Sequence, residues 1–98
     1  MAPNAKKLTE QELEQGVAEL SGWSVEDGKL QKTFKFKDFS TALAWMVRAG
    51  IEAEKLDHHP DWCNSWNKVE VSLQTHSVGA LSELDLKLAA EMDRLEKE

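Results

Sequence analysis

The sequence predicts an α+β domain with elements in the order α-β-β-α-β-β-α. Two segments begin with the paired signals of a helix N-terminus, and a third is apolar around most of a helical cylinder. The pairs Asp27-Gly28 and Asn67-Lys68 each separate two segments in which apolar and polar residues alternate. We therefore expect a four-stranded antiparallel sheet with three helices packed on one face.

The first and third helices share the same start signals. Thr9 with Glu12, and Ser82 with Asp85, have the spacing of a capping box. Leucines flank both boxes at the staple positions, namely Leu8, Leu13, Leu81 and Leu86. The first helix is predicted to end at Ser21-Gly22. The hairpin that follows turns at Asp27-Gly28, because a type I′ turn requires positive φ at both central positions.

Asp38 is predicted to cap a second helix that runs to about Leu56. We expect its core stripe to comprise Phe39, Leu43, Met46, Val47 and Ala53. Further apolar residues spread around the cylinder, namely Ala42, Ala44, Trp45, Ala49 and Ile51. Such a helix either covers the whole sheet as a deep central element or buries a second face against a partner subunit. The small size of the chain favours the interface.

Composition limits the class of protein. The 98 residues form one domain, 1–98, in which we expect 1–7 to be flexible. A net charge of −6 disfavours nucleic-acid binding, and the longest apolar run, Thr41 to Val47, is too short to cross a membrane. No apolar segment follows Lys6 and Lys7, so we expect no signal peptide. The single Cys63 excludes an internal disulfide framework, which is consistent with a cytoplasmic protein.

The three histidines lie between positions 58 and 76, around the second predicted hairpin. Strands Trp62 to Trp66 and Val69 to Thr75, joined at Asn67-Lys68, would pair Trp62 with Leu73. Extending that register places His59 opposite His76 on the polar face, about 5 Å apart at Cβ.

Facing histidines have three interpretations, which the residues alone leave open. The pair could be structural, or it could transfer protons, because imidazole changes charge near pH 6.5. With His58 and one of Glu54, Asp57 or Asp61, it could instead bind zinc, although the adjacent His58-His59 lacks a typical zinc spacing. Glu54 stands four residues before His58 and could orient a histidine ring. Trp23 could pack in the core or form one wall of a pocket for a flat ligand.

Four segments carry a more specific signal: Glu54-Lys-Leu-Asp-His-His-Pro-Asp-Trp62, Trp66-Asn-Lys-Val69, Leu73-Gln-Thr-His76 and Leu81-Ser-Glu83. Together they resemble the pterin-4a-carbinolamine dehydratase family. The resemblance extends over nearly the whole chain, including Gly22-Trp23 and the segment from Phe34 to Phe39. The fold of that family has the element order predicted above.

The resemblance implies a lyase that dehydrates 4a-hydroxytetrahydrobiopterin, formed when aromatic amino acid hydroxylases use their cofactor, to quinonoid dihydropterin. It implies catalytic roles for His58, His59 and His76, without metal or cofactor. Glu54 and Asp57 would be supporting or substrate-orienting carboxylates, and Trp23 would lie at the aromatic pocket position. Among the histidines, we expect His59 and His76 to transfer protons directly.

The resemblance also implies a homodimer or homotetramer as the assembly and a pterin as the small-molecule partner. Animal relatives bind a transcription factor through a helix surface, so an interaction or coactivator module is one alternative function. A pterin-binding homologue in another pathway, such as molybdopterin metabolism, is another. This chain has Leu84 where animal members have arginine, which removes a cation from the rim of the pocket.

Overall fold

The computed structural model describes residues 5–98, and its elements follow the predicted order. They are α1 (Glu10–Ala18), β1 (Ser24–Glu26), β2 (Lys29–Lys35), α2 (Phe39–Leu56), β3 (Asp61–Ser65), β4 (Lys68–Leu73), a 3₁₀ turn (His76–Val78) and α3 (Glu83–Glu96). Within the segment 1–7 that we expected to be flexible, residues 1–4 lie outside the described part. Lys7 forms an isolated antiparallel bridge with Ser82.

The four strands form one antiparallel sheet in the order β1-β2-β4-β3. One face carries the core, to which β2 and β4 contribute Leu30, Phe34, Val69, Val71 and Leu73, all buried. The helices cover this face. The Trp45 indole of α2 lies 4.4 Å from the Phe34 ring and donates a 3.1 Å hydrogen bond to the carbonyl of Met92 in α3. The predicted arrangement of helices and sheet is therefore confirmed.

The local signals at the helix starts are confirmed as well. Thr9 and Glu12 form a reciprocal capping box, and so do Ser82 and Asp85. Asp38 caps α2, where its Oδ1 accepts hydrogen bonds from the amide and the hydroxyl of Thr41. Each cap satisfies amide groups that the first helical turn leaves without partners. Helix α1 ends at Ala18, slightly before the predicted break.

The predicted core stripe of α2 is wrong in part. The buried residues of this helix are Ala42, Trp45, Ala49 and Ala53. Phe39, Leu43, Val47 and Ile51 are exposed, with exposed fractions of 46%, 48%, 57% and 53%. Three alanines on the inner side let the helix backbone approach the layer beneath it, while Trp45 fills the remaining space. The larger apolar side chains form a continuous outer stripe, because residues four apart lie on one side of a helix.

The predicted turn of the second hairpin is also wrong. Ser65 pairs with Lys68 and Trp62 pairs with Val71, so the turn residues are Trp66 and Asn67. Trp66, which we expected as the last residue of the strand, is instead a turn residue with a φ of 51° and an exposed fraction of 68%. Asn67 donates a 2.8 Å hydrogen bond to the carbonyl of Phe36, and this contact with the end of β2 favours the observed register.

A buried ion pair joins β2 to α3. Lys32 Nζ lies 2.7 Å from Asp93 Oδ1 and 4.4 Å from the centre of the Phe34 ring, and both charged side chains are only 10% exposed. Asp93 also accepts hydrogen bonds from the Trp23 indole at 3.0 Å and from the Ser21 amide at 3.2 Å. This cluster fixes the segment before β1 against the second half of α3. Across residues 5–98, no helix has the length and apolar character needed to cross a membrane.

Candidate active site

The segment between α2 and β3 carries two of the three histidines. Helix α2 ends at Leu56, and its C-cap residue, Asp57, adopts the left-handed conformation with a φ of 50°. His58 and His59 follow directly, and Pro60 precedes β3. The left-handed cap ends the helix, and proline favours an extended conformation in the preceding residue. The rings of His58 and His59 therefore lie in different environments, one buried and one exposed.

His58 is fully buried. Its Nε2 lies 2.5 Å from Oδ1 of Asp85, a residue in the first turn of α3. The other oxygen of that carboxylate accepts a 2.8 Å hydrogen bond from Thr75 and a 2.9 Å hydrogen bond from the Ser82 amide. His58 Nδ1 is buried and has no hydrogen-bond partner among the described residues. The ring is therefore held through one nitrogen only.

His59 is half exposed and pairs with a different carboxylate. Its Nε2 lies 2.7 Å from Oε1 of Glu54, with 52% of the histidine side chain and 79% of the glutamate side chain accessible. Glu54 therefore contacts a histidine ring as suggested, and that ring belongs to His59. The reversal of the chain at Asp57 brings the ring of His59, two residues later, back to the end of α2.

His76 begins the 3₁₀ turn after β4 and is exposed. It is not a cross-strand partner of His59, because the β3–β4 pairs run only from Asp61–Ser72 to Ser65–Lys68. The facing geometry that we expected is therefore wrong in detail. The two segments still meet, since His59 follows His58 and His76 follows Thr75, and both His58 and Thr75 bond to Asp85.

The remaining predicted residues are placed as follows. Asp57 is exposed at the end of α2, next to the histidines in the chain. Trp23 is buried, with its indole bonded to Asp93 and its ring edge-on to Phe34 at 5.8 Å. These contacts are with the core cluster and not with any histidine. Leu84 is half-buried in the first turn of α3, where its amide bonds to Ser82.

Sequence reasoning missed Asp85, Thr75 and Ser82 as parts of this site. The sequence indicates Asp85 and Ser82 only as a capping box, and a capping signal does not show which other groups a carboxylate binds. Within residues 5–98 no group of three histidine, cysteine or acidic side chains is placed to hold a metal ion. The arrangement offers two accessible imidazoles, each directly after a residue bonded to the buried Asp85 carboxylate.

Such a fold and site define a small α+β protein whose two histidine-bearing loops both bond to one buried carboxylate. The model of the family described as "Pterin 4 alpha carbinolamine dehydratase" matches residues 6–95. Proteins of Brucella ovis and Brucella canis named "Putative pterin-4-alpha-carbinolamine dehydratase" are each 47% identical over 91 residues, covering 91% of this chain and 94% of theirs.

A solved structure extends the likeness to three dimensions. A Brucella melitensis protein described as a "transcriptional coactivator/pterin dehydratase" has a TM-score of 0.90 and 45% sequence identity. The match covers 93% of this chain and 99% of the other. The chain belongs to the pterin-4a-carbinolamine dehydratase family.

Proposed function

We propose that this protein removes water from 4a-hydroxytetrahydrobiopterin and releases quinonoid dihydropterin, a step in the recycling of tetrahydrobiopterin. Family membership supports the dehydratase activity. The observation that carries the mechanism is the placement of His59 and His76. Both are exposed, and each directly follows a residue bonded to the Asp85 carboxylate.

The reaction requires one acid and one base. The substrate carries a hydroxyl group on C4a and a hydrogen on the adjacent N5. The acid protonates the hydroxyl oxygen, the C4a–O bond breaks and water leaves. The base removes the N5 proton as the C4a=N5 double bond forms. One proton is given and one is taken, so two imidazoles of opposite protonation state complete the reaction.

We assign the direct proton transfers to His59 and His76, because both imidazoles are accessible. Glu54 orients His59 through the 2.7 Å hydrogen bond at Nε2, and Asp57 adds a second carboxylate on the same segment. His58 completes the catalytic set as its buried member. Trp23 supports the fold through its contacts in the core.

The test is the rate of loss of synthetic 4a-hydroxytetrahydropterin, followed by stopped-flow absorbance with and without a chelator. We expect His59→Ala and His76→Ala each to lower kcat by about 10²- to 10⁴-fold, the usual contribution of general acid or base catalysis. Ser77→Ala is the matched control, because Ser77 is an exposed neighbour of His76 in the same 3₁₀ turn. Its rate should equal that of the wild type.

Three outcomes would contradict parts of this proposal. Near wild-type turnover in both histidine variants would overturn the catalytic assignment. Loss of activity with chelator would support a metal site. Pterin binding without turnover would favour a homologue that acts in another pathway.

We further propose that the outer stripe of α2, formed by Phe39, Leu43, Val47 and Ile51, joins copies of this chain into a homodimer or homotetramer. About half of each side chain is exposed. A continuous apolar stripe of this length on a monomer is typical of an interaction surface.

The test of the stripe is Val47→Glu, measured by size-exclusion chromatography with light scattering. We expect a smaller species that retains dehydratase activity. Ser40→Glu places the same charge on an exposed position of α2 outside the stripe and should leave the assembly intact. A monomeric wild-type protein at micromolar concentration would refute the homo-oligomer. It would also favour the second candidate function, helix-mediated coactivation, which the stripe and the description of the Brucella melitensis structure both support.

A further inference from the structure

The Asp85 carboxylate is the most highly bonded buried group near the histidines. It has no exposed surface and accepts hydrogen bonds from three parts of the chain: from His58, from Thr75 and from the backbone amide of Ser82. The bond from Ser82 belongs to the capping box of α3, but the other two do not. A helix cap alone therefore does not account for the surroundings of this side chain.

The direction of the neighbouring hydrogen bonds determines which atom carries each proton. The Leu84 amide donates to Ser82 Oγ, and Thr75 Oγ1 donates to Asp85 Oδ2. Since the Thr75 hydrogen is used in that bond, the 2.7 Å contact between the two hydroxyl groups must have Ser82 as donor. The chain of donors ends at Asp85, which acts only as an acceptor.

The same reasoning assigns the tautomer of His58. With Asp85 as an ionised carboxylate, the 2.5 Å contact requires a hydrogen on Nε2 of the imidazole. In a neutral ring Nδ1 then carries the lone pair, and this is the buried nitrogen that has no partner among residues 5–98. A buried polar atom without a partner costs about 1–3 kcal/mol. The hydrogen bond between Nε2 and Asp85, on the other side of the ring, must therefore hold the imidazole in this orientation.

Asp85 also connects the two segments that carry the accessible imidazoles. His58 precedes His59 on the loop after α2, and Thr75 precedes His76 on the loop after β4. Both loops are thus bonded to opposite oxygens of one carboxylate on a third element, α3. A shift of either loop would break a buried hydrogen bond.

We propose that Asp85 is a positioning residue of the dehydratase site: it holds His58 in the tautomer protonated at Nε2, and it fixes the spacing of His59 and His76. The proposal rests on the proposed function for its effect on catalysis. Its statement about the His58 tautomer is independent of any substrate.

The central test is Asp85→Asn. The amide oxygen of the variant must face Thr75 and the Ser82 amide, because both are donors. The amide nitrogen then faces His58 and donates to Nε2, which forces the ring hydrogen onto Nδ1. We expect two-bond ¹H–¹⁵N spectra of the imidazole to show this exchange of the protonated nitrogen. We expect kcat to fall on the order of 10²-fold with little change in KM, because misplacement of reacting groups affects the chemical step.

Asp93→Asn is the matched control. Asp93 is a buried carboxylate on the same helix and also accepts hydrogen bonds from three groups, none of them in the histidine segments. This variant should unfold at a lower urea concentration than the wild type, yet it should keep the His58 tautomer and the wild-type kcat.

Thr75 provides a second pair of variants should Asp85→Asn fold poorly. Thr75→Val removes the hydrogen bond to Asp85 but leaves the bond to His58, so kcat should fall while the tautomer is retained. Thr75→Ser keeps the hydroxyl and should restore the rate.

Three results would overturn the proposal. These are a wild-type His58 with its hydrogen on Nδ1, an Asp85→Asn protein with an unchanged tautomer, and an unchanged kcat in both Asp85→Asn and Thr75→Val. Absence of dehydratase activity in the wild type would refute the proposed function instead, and the spectra would still test how Asp85 holds His58.

Discussion

Lys32→Met is expected to destabilise the protein strongly. Methionine preserves most of the packing of the side-chain stem against Phe34 but removes the ammonium group. That group lies 2.7 Å from Asp93 and donates a 2.6 Å hydrogen bond to the carbonyl of Ser21. Breaking a buried ion pair by removing one partner costs about 3–5 kcal/mol. We expect about 3 kcal/mol, because Asp93 keeps its hydrogen bonds from the Trp23 indole and the Ser21 amide.

Urea unfolding at one fixed protein concentration measures this effect. With a slope of about 1–3 kcal/mol per molar urea, a loss of about 3 kcal/mol lowers the midpoint by about 1–3 M. A double-mutant cycle with Asp93→Leu isolates the contribution of the pair. We expect a large coupling energy, because a carboxylate left alone beside an apolar side chain is worse than losing both charges. A loss below about 1 kcal/mol in Lys32→Met would refute the reasoning, since the pair would then behave as an exposed one.

Three further predictions concern other parts of the fold. Trp23→Phe removes the indole hydrogen bond to Asp93 and should lower the free energy of unfolding by about 1.5–3 kcal/mol at an unchanged dehydration rate; lost turnover with full stability would instead make Trp23 a pocket wall. Hydrogen bonds from the hydroxyl and the amide of Thr41 lower the pKa of Asp38 below its ordinary value. The cap therefore stabilises the fold above the ordinary pKa and is lost as pH falls through the lowered one. In Thr41→Val, an NMR titration should show a higher pKa for Asp38 and acid unfolding should begin at higher pH. Trp66→Asn relieves the left-handed conformation of an exposed residue and should stabilise the hairpin by roughly 1 kcal/mol in urea; a loss of stability would contradict that strain.

Local signals predicted most of the fold because they depend on neighbouring residues. The boxes at Thr9 and Ser82, the cap at Asp38 and the turn at Asp27-Gly28 each involve atoms within a few positions of one another. The order of strands in the sheet and the burial of α2 depend on distant contacts. In α2, helical periodicity cannot distinguish an inner face of alanines from an outer face of larger residues when both faces are apolar.

The prediction of the site depends even more on contacts between residues that are distant in the sequence. A shift of the turn from Asn67-Lys68 to Trp66-Asn67 moves every cross-strand partner by two positions and keeps the same face, so side-chain alternation could not detect it. The three histidines and Glu54 could be named from the sequence. Their pairing could not, because Asp85 is 27 positions from His58 and its selection as partner depends on where α3 packs.

Asp85 completes the capping box of α3 and also accepts hydrogen bonds from His58 and Thr75. These two roles limit how far substitutions at this position can raise the thermal stability of the domain. A capping box is usually completed by glutamate or glutamine, and selection for heat resistance alone would favour that exchange at position 85. The longer side chain would push its carboxylate into space that His58 and Thr75 occupy. Completing the usual capping box with glutamate at position 85 is therefore expected to slow the proposed dehydration. The site then needs the shorter acid at a place where stability alone does not require one.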